Sequence, residues 1–284
     1  MKSVLITGAN SYIGTNVERW LLKEPDKYHI ETLDMKDPNW VNFDFSKFDV
    51  VFHVAGIAHS TPKKSEKDLY YKVNTELTIE TAKKSKESGV KQFIFMSSMI
   101  VYNKKEKRIT KDTLPKPDNF YGDSKLQAEN GVKPLEDKNF IVTILRPPMI
   151  YGPNSKGNFP RLIKLTKKTF IFPKIQNKRS MLYVDNLSNS VKYLIDNKMG
   201  GIYYPQNREL ISTTKIVKTI SNDLNKKIIF TRLFNLFIYP LTKFTSTFNK
   251  LFSDSYYDLE MSKNIINLSI ISFEQSIHRI ISDE

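Results

Sequence analysis

The stretch that decides the fold is Ser3-Val4-Leu5-Ile6-Thr7-Gly8-Ala9-Asn10-Ser11-Tyr12-Ile13-Gly14. Ser3 to Ile6 is a short apolar run of the kind that forms a buried strand, and Thr15 to Lys23 has the spacing of an amphipathic helix. Between them Gly8 supplies backbone angles closed to residues with a Cβ, and Gly14 lets strand and helix approach closely. Strand, tight turn and helix in that order make a dinucleotide-binding device, with Asn10, Ser11, Tyr12 and Ile13 along the turn and pyrophosphate at the helix's positive N-terminus. Ser11 stands where the middle glycine of the pattern usually falls. A turn that needs two glycines for structural reasons alone is the alternative, and the order of the elements favours the cofactor.

Outward from this turn, Glu31-Thr32-Leu33-Asp34 is a second short strand ending in an acid, 20 residues beyond Gly14. A carboxylate there hydrogen-bonds the adenosine ribose and repels a 2′-phosphate. NAD(H) is therefore favoured and NADP(H) is the alternative, with Lys36 pulling the other way. Asp49 to Gly56 is the next buried strand, and its last residues, Val54, Ala55 and Gly56, end where ligands lie in an open parallel sheet. His53 reads as a core histidine, and for His59 a substrate contact is the less favoured reading. Tyr70 to Ser88 reads as one long helix bearing Asn74 and stopped by Gly89, and Gln92 to Ser97 as another strand leading into Ser98. The expected fold is α/β, a Rossmann-like doubly wound parallel sheet with a smaller C-terminal substrate-binding lobe. Residues 1–150 with a returning segment at about 178–204 form the NAD(P)-binding domain, and 151–284 mainly the lobe.

The chemistry gathers at Tyr121-Gly122-Asp123-Ser124-Lys125, which opens a helix and sets Tyr121 and Lys125 one turn apart on one face. A free phenol titrates near ~10 and is a poor base at neutral pH. A neighbouring ammonium and an oxidised nicotinamide would favour the phenolate, and Ser98 at a strand end is placed to hold the same substrate oxygen. Such a pair arises by chance in many helices; joined to the dinucleotide turn and the strand-end serine it becomes specific.

Composition limits the alternatives. With 284 residues, 40% of them hydrophobic, the chain can bury a full core. The 44 Lys and Arg against 30 Asp and Glu give a net charge of +14, but the lysines are scattered without a long basic block. General lysine richness is favoured over a nucleic-acid face, so no nucleic-acid partner is expected. The absence of cysteine excludes disulfides, thiolate metal sites and cysteine nucleophiles, and no metal site is expected. No signal peptide or spanning segment is read, which gives a cytoplasmic expectation.

The chain resembles the extended short-chain dehydrogenase/reductase family, the NAD-dependent epimerases and dehydratases that act on nucleotide sugars. The resemblance rests on Thr7 to Gly14, Val54 to Gly56, Ser97 to Tyr102, Tyr121 to Lys125, Leu145 to Pro153 and Arg179 to Leu187, and it runs to about Val191. It implies Tyr121 as general acid/base, Lys125 as its partner and ribose ligand, and Ser98 as a ligand of the substrate oxygen. It also implies Asp44 and Phe45 near the adenine, Asn74 and Pro147 near the nicotinamide half, and Asn158 and Arg179 on the nucleotide diphosphate. A guanidinium forks onto phosphate oxygens, and Arg146 and Arg161 are further candidates to face it. Dehydratases of the family carry an Asp-Glu pair where this chain has Met99 and Ile100, which transfer no protons, so a 4,6-dehydratase is disfavoured. The GDP-keto-sugar branch uses a cysteine that this chain lacks.

Two enzyme readings remain: a 4-ketoreductase and a UDP-hexose or UDP-N-acetylhexosamine 4-epimerase with tightly bound NAD. Typical 4-epimerases have asparagine where Met149 stands, lysine where Ala58 stands, and a larger C-terminal region. The Arg146-Pro147-Pro148 form, Lys156 to Phe159 and Arg179-Ser180 look more like bacterial reductases that finish UDP-linked 6-deoxy-N-acetylhexosamines for surface polysaccharides. The reductase is favoured. A non-catalytic NAD(H)-binding regulator is the third reading, and the intact Ser98, Tyr121 and Lys125 argue against it. A homodimer is the assembly the resemblance allows. In the last third, Leu233 to Phe252 is an aromatic-rich amphipathic segment broken at Pro240. A helix packed on the lobe is favoured there, and the alternative is peripheral membrane contact through Lys243 and Lys250 without stable insertion.

Overall fold

The computed structural model describes residues 1–58, 64–233, 235, 249 and 251–282. His59 and most of the aromatic-rich segment, including Lys243 and Lys250, lie outside the described residues. The chain divides into two compact units, 1–104, 113–148 and 187–205 forming the first and 105–112, 149–186 and 206–284 the second.

The first unit is built on six parallel strands: β1 (Lys2–Thr7), β2 (Tyr28–Leu33), β3 (Val50–His53), β4 (Gln92–Met96), β6 (Ile141–Leu145) and β10 (Gly201–Tyr203). Their order across the sheet is β2-β1-β3-β4-β6-β10, with Leu5 opposite Val51 and Phe93 opposite Val142. β3 and β4 are buried along their whole length, which explains the apolar runs Val50 to Phe52 and Phe93 to Met96: a parallel strand covered on both faces has no polar side. From β1 the chain goes out to β2 on one side and resumes at β3 on the other. The crevice of a doubly wound sheet opens at that reversal, beyond the carboxyl ends of β1 and β3.

α1 (Tyr12–Leu21) follows the first turn, and α4 (Phe120–Val132) carries the Tyr121 motif. The helix expected over 70–88 is interrupted. α2 (Lys67–Tyr70) and α3 (Leu77–Glu87) are joined by a π-helical turn at Tyr71–Glu76, and Gly89 stops the run with φ +82°. Hydrophobic periodicity does not separate a single π turn from α-helix, and such turns concentrate at functional sites.

In the second unit β7 (Met149–Tyr151) pairs with β9 (Met181–Tyr183), β8 (Ile171–Pro173) with β11 (Ile229–Thr231), and β5 (Arg108–Ile109) with β12 (Tyr256–Tyr257). Its own core joins Phe159, Leu162, Met181, Ile216, Ile220 and Phe273 on these strands and on α5 (Asn158–Lys168), α7 (Thr213–Asp223) and α8 (Phe273–Ser282). α6 (Val184–Asp196) starts in this unit and belongs to the first unit from Leu187 onward. Among the described residues no helix is long and apolar enough to cross a membrane.

Candidate active site

The turn after β1 takes its shape from three residues. Gly8 has φ +99°, and a Cβ on it would lie 2.8 Å from the Ala55 nitrogen, so a side chain is excluded by angle and by space. Asn10 holds a left-handed φ of 62°, which a short polar side chain tolerates. Ser11 caps α1, its Oγ accepting from the Gly14 nitrogen at 3.1 Å. The hydroxyl thus occupies one of the N–H groups that a glycine here would leave for an anion. Tyr12 and Ile13 are the first two residues of α1.

Asp34 follows β2 in an exposed position and accepts from the Lys36 nitrogen at 3.0 Å through one oxygen. The Asp44 carboxyl is held below its ordinary value by the Ser46 hydroxyl and backbone. Phe45 is enclosed in the core at 1% exposure. Val54, Ala55 and Gly56 leave the end of β3, and the Val54 nitrogen donates to the Thr7 carbonyl at 3.1 Å. His53 is a core residue set between Thr7 Oγ1 at 2.7 Å and Thr78 Oγ1 at 3.0 Å.

Asn74, on the π turn, is fully buried. Its Oδ1 accepts from the Ile57 nitrogen at 2.8 Å, while Nδ2 donates to the Ile57 carbonyl and to Ser124 Oγ, each at 3.1 Å. The side chain therefore fastens the loop after β3 to α4. Gly56 lies in the same cluster: a Cβ there would meet Asn74 Oδ1 at 3.0 Å and Lys125 Nζ at 3.1 Å.

Asn119 caps α4 by accepting from the Gly122 nitrogen at 2.9 Å, and Tyr71 donates to Asp123 at 2.6 Å. Gly122 decides how closely α4 passes the turn that bears Ser98, because a Cβ on it would lie 2.3 Å from the Ile100 carbonyl oxygen. That approach sets Ser98 beside the Tyr121 phenol, where its side chain favours the phenolate. Ser98 also caps the short turn Met99–Val101, and Pro147 accepts from the Met99 nitrogen at 2.9 Å. Burial pushes the Tyr121 phenol up to about 12, Ser98 opposing and Tyr70 adding to the shift.

Lys125 is turned to the strand end. Its Nζ donates to the Met96 carbonyl at 2.9 Å and stands 4.8 Å from the centre of the Phe95 ring. Burial pulls the ammonium down to about 8 against the opposing pull of Glu129. One turn further along α4, Glu129 accepts from Ser97 Oγ at 2.5 Å and from Arg146 Nε at 2.9 Å and Nη2 at 2.5 Å, while Arg146 Nη1 donates to the Tyr102 hydroxyl at 2.7 Å. Arg146 is 3% exposed, so the expectation that it faces a diphosphate is corrected: it ties α4 to the ends of β4 and β6.

Asn158 and Arg179 belong to the second unit. Asn158 is the first residue of α5, following Gly157 at φ +102°. Arg179 bridges to Ile211 and Ser255 and donates to the Ser253 carbonyl at 3.2 Å. Burial pulls its guanidinium down to about 10, with Asp254 opposing. Arg161 is exposed on α5. Among the described residues no group of three His, Cys, Asp or Glu side chains is placed to hold a metal ion.

The pinched Gly8 turn, the capped start of α1 and the close-set Gly56 make a backbone-lined cradle of the kind a dinucleotide takes. Comparison with known proteins agrees. The model of the NAD dependent epimerase/dehydratase family matches residues 4–204. A UDP-glucose 4-epimerase of Vibrio cholerae is 30% identical over 253 residues, which span 79% of this chain and 76% of that protein. Among solved structures, dTDP-4-dehydrorhamnose reductase of Bacillus anthracis in complex with NADP superposes with a TM-score of 0.74 at 22% identity, covering 100% of both chains. UDP-glucuronic acid 4-epimerase of Bacillus cereus in complex with NAD does so with a TM-score of 0.76 at 21% identity, covering 99% of this chain and 96% of that one. At these identities the two structures establish a shared fold.

Proposed function

The chain belongs to the NAD-dependent epimerase/dehydratase family, and from that premise we propose that it reduces the C4 keto group of a sugar carried on a nucleoside diphosphate, a UDP-linked 6-deoxy-N-acetylhexosamine. The observation that supports this reading is the placement of Tyr121, a buried phenol in the first turn of α4 beside Ser98, which burial pushes up to about 12. At neutral pH that group is a proton donor. It gives its proton to the C4 oxygen as the carbonyl becomes an alcohol, and Ser98 holds the same oxygen in line.

Bound NAD(P)H supplies the hydride that reaches C4. The residues proposed to hold it are Gly8, Asn10, Ser11, Tyr12, Ile13 and Gly14 at the pyrophosphate, Asp34 at the adenosine ribose, and Asp44 and Phe45 near the adenine. Val54, Ala55, Gly56, Lys125 and Pro147 serve the nicotinamide half, with Asn74 positioning the loop after β3 beside it. Asp34 supports NAD(H) over NADP(H), since its carboxylate repels a 2′-phosphate. Asn158 and Arg179 are proposed to grip the substrate diphosphate, where a desolvated guanidinium has most to gain from an anion.

A 4-epimerase is the second reading, favoured by the Vibrio cholerae relative. It asks Tyr121 to start as a base, for which bound oxidised nicotinamide and Lys125 would have to favour the phenolate. Incubation of the purified protein with NADH and a UDP-4-keto-6-deoxy-N-acetylhexosamine separates the two. Loss of one NADH per keto sugar supports reduction; unchanged NADH, together with interconversion of UDP-hexose C4 epimers, rejects it for the epimerase.

A further inference from the structure

We propose that the second unit carries a docking face for an anionic lipid bilayer, formed by β8, β11 and the C-terminal end of α5. Ile171 and Ile229 lie opposite each other in the parallel pair and turn outward, at 48% and 66% exposure, while Phe172 and Phe230 turn inward and meet edge to face. Phe170 and Leu233 extend the outward row at 72% and 78% exposure. The row is one surface because the segments are clasped. The Ile229 nitrogen donates to the Phe170 carbonyl at 2.9 Å, and Lys226 Nζ donates to the carbonyls of Thr166 and Lys167 and stands 4.6 Å from the centre of the Phe170 ring.

The two segments that carry this row hold charge of one sign. Residues 161–174 and 226–233 contain eight Lys or Arg and no Asp or Glu, more than half of the chain's net charge of +14. The pairing of β8 with β11 brings these two segments side by side. Exposed apolar side chains rimmed by cations are the composition that an anionic membrane surface rewards, cations meeting headgroups while apolar groups enter the acyl boundary. A second copy of the chain fits less well, because a two-fold interface would set these cations against their own copies. Nucleic acid fits less well too: three of the four outward side chains, Ile171, Ile229 and Leu233, are aliphatic, and Phe170 is the one ring of the row on which a base could stack.

Sedimentation of the full chain with vesicles tests this. The expected result is binding to vesicles of about three parts phosphatidylcholine to one part phosphatidylglycerol at ~0.1 M salt, at least about tenfold weaker binding to pure phosphatidylcholine, and release at high salt. F170S/I229S should weaken binding about tenfold, and K167E/K168E should do the same through charge. Both pairs are exposed, and unchanged melting and NADH binding would show that each variant is folded. Failure to bind the anionic vesicles overturns the proposal. So does unchanged binding by both variants, or displacement of the protein from vesicles by an equal charge of single-stranded DNA.

Discussion

The wall formed by Ser98, Tyr121, Lys125 and Asn74 and the face formed by Phe170, Ile171, Ile229 and Leu233 use buried and exposed side chains in opposite ways. In the first, the Tyr121 phenol is buried beside Ser98, the ammonium is held by the Met96 carbonyl and the amide by Ile57 and Ser124. In the second, apolar groups are left in water beside cations. Withdrawal fixes protonation states and geometry, which a proton-transfer site needs; exposure leaves surface free energy for a partner to recover.

Four substitutions sharpen the contrast, because changes in the buried wall should cost activity or stability. Removing the phenolic proton in Y121F should lower kcat by about 10²–10⁴-fold while NADH binding, read by fluorescence, changes little. A comparable loss of cofactor binding would mean that Tyr121 serves the fold instead. E129Q leaves Arg146 charged, buried and short of its partner, and should cost about 3–5 kcal/mol in denaturant unfolding.

Lys125 sets a pH signature. An unfolded lysine titrates near ~10.4, so between about 8 and that value the folded protein binds fewer protons than the unfolded chain. Stability should therefore rise with pH across this window by about 1–3 kcal/mol relative to K125M, as the burial penalty on the ammonium is relieved. A difference that stays flat from pH 8 to 10, measured by denaturant midpoints, would show that Lys125 is not desolvated. The smallest effect belongs to the turn. S11G frees the Gly14 N–H and should tighten cofactor binding by a few fold, at a stability cost of a few tenths of a kcal/mol for the weaker cap. Weaker binding would instead make the Ser11 hydroxyl a ligand.

The parts of this molecule that were legible in its sequence are local. β1, the Gly8 turn and α1 follow one another without a gap, so a strand pattern, two glycines and a helix pattern are enough to place them. Tyr121 and Lys125 are legible for the same reason, being one turn apart on α4. What the sequence hid depends on partners far along the chain. Gly122 is a glycine because of the Ile100 carbonyl, and Arg146 looked available for a diphosphate because its partner Glu129 has no periodic relation to it. The π turn at Tyr71–Glu76 shares its apolar spacing with the helices on either side. The basic apolar face joins residues 166–171 to 226–233, each of which taken alone is an ordinary helix end or short strand.

The central claim is that Tyr121 stands ready as an acid at a sugar C4 that receives hydride. Its most direct test is to follow deuterium from NADH labelled at the transferred position into a UDP-4-keto-6-deoxy-N-acetylhexosamine. The account predicts one deuterium at C4 of the product for each NADH oxidised, and no label with Y121F. Product that forms without label or net NADH oxidation, with bound NAD retained through turnover, would contradict it.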